Sequence, residues 1–192
     1  MNFIEHLKQI SALQQDRVSK WHKSEPGTSA SGLLGIVEEQ HLQNYLLWHE
    51  EDIARDPDVT DTVIAKVKRS IDGLNQKRND LIEKLDETIL DHLYAEGISM
   101  NPKSPLNSET PGSMIDRCSI MALKIYHMTE QLDRTDVEQD HLQQSERKIQ
   151  VLTTQRDDLF DCFLNLISDI RSGFRQFKLY RQYKMYNDPT LN

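Results

Sequence analysis

The sequence predicts an all-α, single-domain bundle of four to five helices with a long C-terminal helix. Three observations predict it. Apolar residues recur three and four positions apart over long stretches. Gly and Pro number only seven and six in 192 residues, and many of them fall together between those stretches. Hydrophobic residues make up 37% of the chain and charged residues 28%, as in helices with wet outer faces. A domain of this length needs no disulfide or metal staple.

The first helix is predicted over 3–22, where Phe3, Leu7, Ile10, Leu13 and Val18 form an imperfect apolar stripe. The breaker SEPGTSAS, 24–31, ends it. The second runs over 32–55 on Leu33, Ile36, Val37, Leu42, Tyr45, Leu46 and Trp48, and Asp56-Pro57 stops it. The third, 60–96, opens on Thr60 as a capping hydroxyl with Asp61 in the first turn, and carries Ile64, Val67, Ile71, Leu74, Leu81, Leu85 and Ile89. Beyond Gly97 the segment 97–110 has two prolines and no period, so it reads as a loop. Thr110-Pro111-Gly112-Ser113 then starts a fourth helix over 111–134.

After a polar connector, the last helix is predicted over 146–186 on Ile149, Leu152, Leu159, Phe163, Leu166, Ile170, Phe174 and Phe177. Such a helix is about 60 Å long, more than the bundle can cover. Either Gly173 bends it or its end protrudes, and a protruding end makes a homodimer the expected assembly.

The chain carries a formal charge of −8, which argues against general nucleic-acid binding. No stretch has the length of a membrane span or the pattern of a secretion signal, so a cytoplasmic protein is expected. Cys118 and Cys162 both lie in apolar runs and read as buried reduced thiols.

Positive charge is concentrated near the C-terminus. Arg171, Arg175, Lys178, Arg181 and Lys184 are spaced as one helical stripe, with no acid between them, among Phe174, Phe177, Tyr180 and Tyr183. Guanidinium groups fork onto phosphate oxygens and rings stack on sugars or bases. Arg175, Lys178, Arg181 and Lys184 are therefore candidate phosphate ligands, with Tyr180, Tyr183, Tyr186 and Trp48 as stacking partners. Phe174 and Phe177 continue the core pattern, which leaves Lys178 to Asp188 as the informative part. The free amides of the Thr-Pro-Gly-Ser turn are a second candidate anion site, with Arg117 and Lys124 on one side of the helix that follows, and a plain helix cap explains the turn equally well.

Two polar faces complete the candidate set: His41, Asn44, Glu51 and Asp52 on the second helix, and Asp72, Asn75 and Asn79 on the third, with Asp116 on the fourth. Asn inside a helix competes for backbone hydrogen bonds, so its side chain is expected to be used. Interhelical networks and a ligand site account for these faces equally. Glu38-x-x-His41 has the spacing of a di-iron half-site, but its second match, Glu138-x-x-His141, lies among polar residues and reads as chance. Carboxylates at Glu51, Asp52, Glu83 and Asp86 would suit Mg²⁺. His127 reads as a satisfied boundary histidine. No Ser-His-Asp order and no glycine-rich phosphate loop is present.

Four strings carry a family resemblance: HLQNYLLWHEEDIAR at 41–55, IDGLNQKRNDLIEKLD at 71–86, TPGSMIDRCSIMALKIYHM at 110–128 and YRQYKMYNDPTLN at 180–192. Trp48 with Glu51-Asp52, Asn75 with Arg78-Asn79-Asp80, Asp116-Arg117 and Lys184-Met185-Tyr186-Asn187-Asp188 are its specific points, and Cys118 is a mild departure. They resemble an uncharacterised bacterial family, number four thousand two hundred and fifty-four in the domain-of-unknown-function series. The resemblance implies an all-helical cytoplasmic protein whose genes often neighbour those for surface-polysaccharide assembly and glycosyl transfer. It supplies no catalytic residue. Glu83-x-x-Asp86 also matches half of the metal motif of all-helical Mg²⁺-dependent nucleotide pyrophosphatases, without the preceding E-x-x-E.

The expectation is thus a protein that binds a phosphorylated or nucleotide-sugar ligand in surface-polysaccharide biosynthesis. The alternatives are an accessory or scaffold protein for a glycosyltransferase and a Mg²⁺-dependent pyrophosphatase.

Overall fold

A computed structural model describes residues 3–181, among which are five α-helices. They are α1 (Phe3–Trp21), α2 (Gly32–Arg55), α3 (Asp61–Ala95), α4 (Pro111–Glu130) and α5 (Gln139–Arg171). α2 and α3 lie side by side as one hairpin, α4 and α5 as another, and α1 packs across α4 and α2. No described helix is long and apolar enough to cross a membrane.

Local chemistry explains the starts. Thr60 Oγ1 accepts from the Val63 amide at 3.4 Å. At α4, Thr110 and Ser113 cap each other reciprocally, with Pro111 just inside the helix.

The last helix departs from expectation at both ends. It begins at Gln139, because 139–148 is rich in good helix formers although it has no apolar stripe. It stops at Arg171, well short of residue 186. Gly173 adopts φ +74°, and the Phe174 amide turns back to Asp169 O at 2.8 Å, closing the helix as a left-handed cap. The chain beyond it lies against the loop 97–110. The Gln176 amide donates to Pro105 O at 3.1 Å, the Asn107 amide to Gln176 O at 2.8 Å, and Ser104 Oγ to Gly173 O at 2.5 Å. Arg175, Lys178 and Arg181 therefore do not stack along a helix. Phe177 stays buried, whereas Phe174 is 71% exposed.

The core falls into blocks. The largest joins Phe3, Leu7, Ile10, Val37, Leu85, Ile89, Ile115, Phe163 and Ile167. A second gathers Val18, Trp21, Tyr45, Ala122 and Leu123. Cys118 is buried, and desolvation pushes its thiol up to about 12, so it is inert. Cys162, expected to be buried, is exposed, because its neighbour Phe163 takes the inward direction and the next position on a helix faces elsewhere.

Candidate functional site

Between the two apolar blocks a polar layer crosses the bundle. On α1, Gln14 sits between Ile10 and Val18. On α2, Gln40, His41 and Asn44 sit between Val37 and Tyr45. On α4, Asp116 and Ser119 sit between Ile115 and Ala122, and α3 supplies Arg78. All but Arg78 are buried.

The layer is closely wired. Asp116 Oδ1 accepts from Gln40 Nε2 at 2.5 Å, Asn44 Nδ2 at 2.9 Å and Arg78 Nε at 2.8 Å, while Oδ2 takes Arg78 Nη2 at 2.5 Å. The two-point bond to Asp116 pushes the Arg78 pKa further up. Asn44 also donates to Ser119 Oγ at 2.8 Å. That hydroxyl lies 2.6 Å from His41 Nδ1, and His41 Nε2 lies 2.9 Å from Gln14 O. The consistent assignment has Ser119 donating to Nδ1 and Nε2–H donating to the carbonyl, which is a neutral imidazole. Burial agrees, lowering the His41 pKa to about 4. Nearby, the fully buried Glu38 accepts from the Ser29 and Ala30 amides at 2.8 and 2.6 Å and pairs with Arg17. Glu38 and His41 are thus engaged by the protein itself, and the di-iron spacing is coincidental.

At its outer edge the layer opens into a cleft of about 210 Å³ lined by Asn44, Trp48, Glu51, Arg55, Asn75 and Arg78 over Leu47, Ile120 and Leu123. Arg78 Nη1 reaches Asn75 Oδ1 at 3.4 Å. Ile120 also borders a wider groove of about 700 Å³ between α4 and α5, where Arg117 and Lys124 lie over Met114, Met121 and Leu159.

Of the candidate polar faces, the cleft brings together Asn44, Trp48, Glu51 and Asn75, with Asp116 and His41 behind it. Asp72 pairs with Lys68 at 2.6 Å on the exposed side of α3, Asp52 pairs with Arg55 at 3.0 Å, and Asn79 is half-buried on α3. The described arginines of the basic stretch meet carboxylates: Arg171 with Glu96, Arg175 with Asp169 at 3.2 Å, and Arg181 with Glu87 and with Glu83 at 3.4 Å. Lys178 and Tyr180 are exposed. Tyr183, Lys184 and Tyr186 lie outside the described residues. Arg117 is held by Glu109 at 2.7 and 2.8 Å.

The anion slot at the start of α4 is filled from within. The Gly112 amide donates to Asp86 Oδ1 at 2.6 Å, and there is no room for a side chain there, since a Cβ would lie 2.5 Å from Ile82 O. Gly112 does permit a close approach, but of α3 and not of a ligand. Burial outweighs these hydrogen bonds and raises the Asp86 pKa to about 6. Glu51, Asp52, Glu83 and Asp86 do not converge. Among the described residues, the one group of three His, Cys, Asp or Glu within ligand reach of each other is His22, His49 and His127. His127 is therefore not a satisfied boundary residue, since its Nε2 is buried without a partner.

As site residues, sequence reasoning missed Gln14, Gln40 and Ser119, together with the histidine group, and it met Arg78 only as a point of the family resemblance. The signal for the layer was present: Gln14 stands four residues after Ile10 and four before Val18, and Arg78 stands seven from both Ile71 and Leu85. These are core positions held by polar residues.

Fold and site define a helical bundle with an internal polar layer and an arginine-edged cleft. The chain belongs to the family described as Protein of unknown function (DUF4254), whose model matches residues 34–179. That span includes every member of the layer except Gln14. No curated protein and no solved structure matches the chain.

Proposed function

We propose that this protein binds a phosphorylated sugar or sugar nucleotide, with the sugar in the cleft between α2, α3 and α4. One observation carries the reading: Arg78 is locked by two bonds to a buried Asp116 that Gln40 and Asn44 hold in turn. A guanidinium fixed in this way presents its remaining donors in one direction, with little entropy left to lose on binding. Trp48 supplies a ring, and Asn75 and Glu51 supply hydrogen-bonding groups, as a sugar requires. The volume decides the size of the group. Pockets for drug-sized ligands run from about 300 Å³ upward, so 210 Å³ takes one sugar ring and not a whole nucleotide.

The phosphate then lies over Ile120, which borders both cavities, toward Lys124 and Arg117. This moves the anion contact away from Arg175, Lys178, Arg181 and Lys184. Arg181 in particular already sits between Glu83 and Glu87. No reaction is assigned, and a surface-polysaccharide role rests on the ligand class alone.

Thermal-shift screening with sugar phosphates and sugar nucleotides, with and without Mg²⁺ or Mn²⁺, tests the reading. A ligand should raise the melting temperature, and Asn75→Ala and Lys124→Ala should each weaken it while Arg181→Ala does not. No shift across the panel, or a shift indifferent to Asn75 and Lys124, refutes it. The second reading, an accessory protein that docks on a glycosyltransferase or on its own copy, draws on the groove over Met114, Met121 and Leu159. An isolated chain that binds no sugar ligand but sediments as a dimer would favour it.

A further inference from the structure

Outside the cleft, three histidines from three helical elements face one another. His22 follows the last residue of α1, His49 lies on α2 and His127 on α4. One ring nitrogen from each lies within 4.8 Å of the others. In all three rings Nε2 is buried and has no hydrogen-bond partner in the protein. Buried polar atoms are nearly always paired, so three orphans in one place require a cause.

The opposite ring edges show which state the rings are in. His22 Nδ1 lies 2.8 Å from Val18 O, which only a donor can satisfy, and His127 Nδ1 lies 2.8 Å from Glu130 Oε2. With the proton on Nδ1, Nε2 of both rings is left as a bare lone pair. A carbonyl or carboxylate behind a histidine in this way is what orients metal ligands and raises their basicity. Packing fixes the planes as well: His127 stacks on Trp48 with centroids 4.5 Å apart, and His22 on Tyr126 at 4.2 Å.

We propose that His22, His49 and His127 bind one divalent transition metal of the zinc type through their Nε2 atoms. Imidazole nitrogens suit Zn²⁺ and its neighbours and are poor ligands for Mg²⁺. At Zn–N distances of about 2.0–2.1 Å, tetrahedral ligand atoms stand about 3.4 Å apart. Closing symmetrically from a spacing of 4.8 Å moves each ring nitrogen inward by about 0.8 Å. With His49 in the same tautomer, a cation satisfies three lone pairs at once, where a water molecule has two hydrogens to give. Asp52 and Glu130 both bias the region toward positive charge. Three protein ligands leave a fourth position open, and the ion ties the end of α1 to α2 and α4. Trp48 stacks on His127 and also lines the Arg78 cleft, so the metal adjoins that cleft, although the site does not depend on the sugar reading.

The untagged chain, stripped with chelator, is titrated with Zn²⁺ and with Mg²⁺ by calorimetry, and its melting is followed with and without EDTA. One Zn²⁺ per chain with micromolar or tighter affinity is expected, with no Mg²⁺ uptake and a melting temperature that EDTA lowers. His49→Ala and His127→Ala should each lose at least about tenfold in affinity. His6→Ala serves as a control with unchanged binding. Glu130→Gln, on an exposed side chain that does not threaten folding, should weaken binding by about tenfold through the His127 ring. Absence of stoichiometric Zn²⁺ uptake by the parent chain overturns the proposal, as does uptake unaltered in His49→Ala, His127→Ala and Glu130→Gln.

Discussion

Asp116→Ala removes the acceptor on which α2, α3 and α4 converge. Three costs follow from the geometry. Gln40 loses its bond at 2.5 Å and Asn44 one of its two, each at about 1 kcal/mol when the donor stays buried. The Arg78 guanidinium loses its counter-charge. Breaking a buried ion pair from one side costs about 3–5 kcal/mol, and the 24% exposure of the Arg78 side chain admits water and places this case at about 3 kcal/mol. The sum is about 5 kcal/mol. For a chain of this size each kcal/mol moves the melting temperature by about 2–4 °C, so a drop of about 10–20 °C is expected.

Urea unfolding followed by far-ultraviolet circular dichroism measures the loss from the midpoint, provided the slope is unchanged. Asp116→Asn keeps the shape and loses the charge, and should fall about halfway. A cycle with Arg78→Met isolates the pair, because removing both partners also removes the stranded charge. The coupling should be about 2 kcal/mol or more. A loss under about 1.5 kcal/mol for Asp116→Ala, or strict additivity in the cycle, would refute the claim that Asp116 organises the layer.

Two buried groups give opposed pH dependences. Asp86 is raised from 3.8 to about 6, so the native state holds the extra proton and stability falls as pH rises from about 4 to 6. His41 is lowered from 6.5 to about 4, so the unfolded state holds the proton and stability falls as pH drops from 6.5 to about 4. Each amounts to about 3 kcal/mol, and together they flatten the parent profile. Asp86→Asn should expose the His41 slope in urea midpoints taken from pH 4 to 7, and a variant profile as flat as the parent's would contradict this. Gly112→Ala places a Cβ 2.5 Å from Ile82 O and 2.9 Å from Asp86 Oδ1, and should cost about 1–3 kcal/mol by urea midpoint. Phe174→Ser should change stability by less than about 0.5 kcal/mol, whereas Phe177→Ala should cost about 3–5 kcal/mol. Similar losses at both positions would restore a helix continuing through them.

The helix signals that were legible were local ones: the Thr60 cap, the Thr110-Pro111 start, and the apolar stripes of α2 and α3. These depend on residues within one turn of each other, and a single sequence displays them. The end of α5 was misread because Phe174 and Phe177 keep the helical period past Gly173. One left-handed glycine overrides the period, and what stabilises the turned-back chain is the loop around Ser104 and Pro105, some seventy residues away. The candidate site divides in the same way. Asn44, Glu51 and Asn75 showed themselves as polar residues at helical spacing, but which cation would meet Asp116 depended on how α3 faces α4. The histidine group was invisible for the same reason, since 27 and 78 residues separate its members and each looks ordinary on its own helix.

Stability alone does not account for the polar layer, because an apolar layer of equal volume is often as stable or more so. Two other causes remain. The layer can fix the register of four helices, since Gln14, His41, Ser119, Asn44, Asp116 and Arg78 satisfy one another only in one alignment. It can also hold Arg78 rigid at the mouth of the cleft. Only the second requires the cation. Arg78→Met with Asp116→Leu replaces the ion pair by packing and leaves His41, Ser119 and Asn44 to define the alignment. A layer built for register should then give a folded chain with its ligand response intact. A layer that serves the cleft should give a folded chain, less stable than the parent by about 2 kcal/mol for the lost Gln40 and Asn44 bonds, that no longer responds to any sugar ligand, and the exposed edge of the half-buried Arg78 favours that outcome.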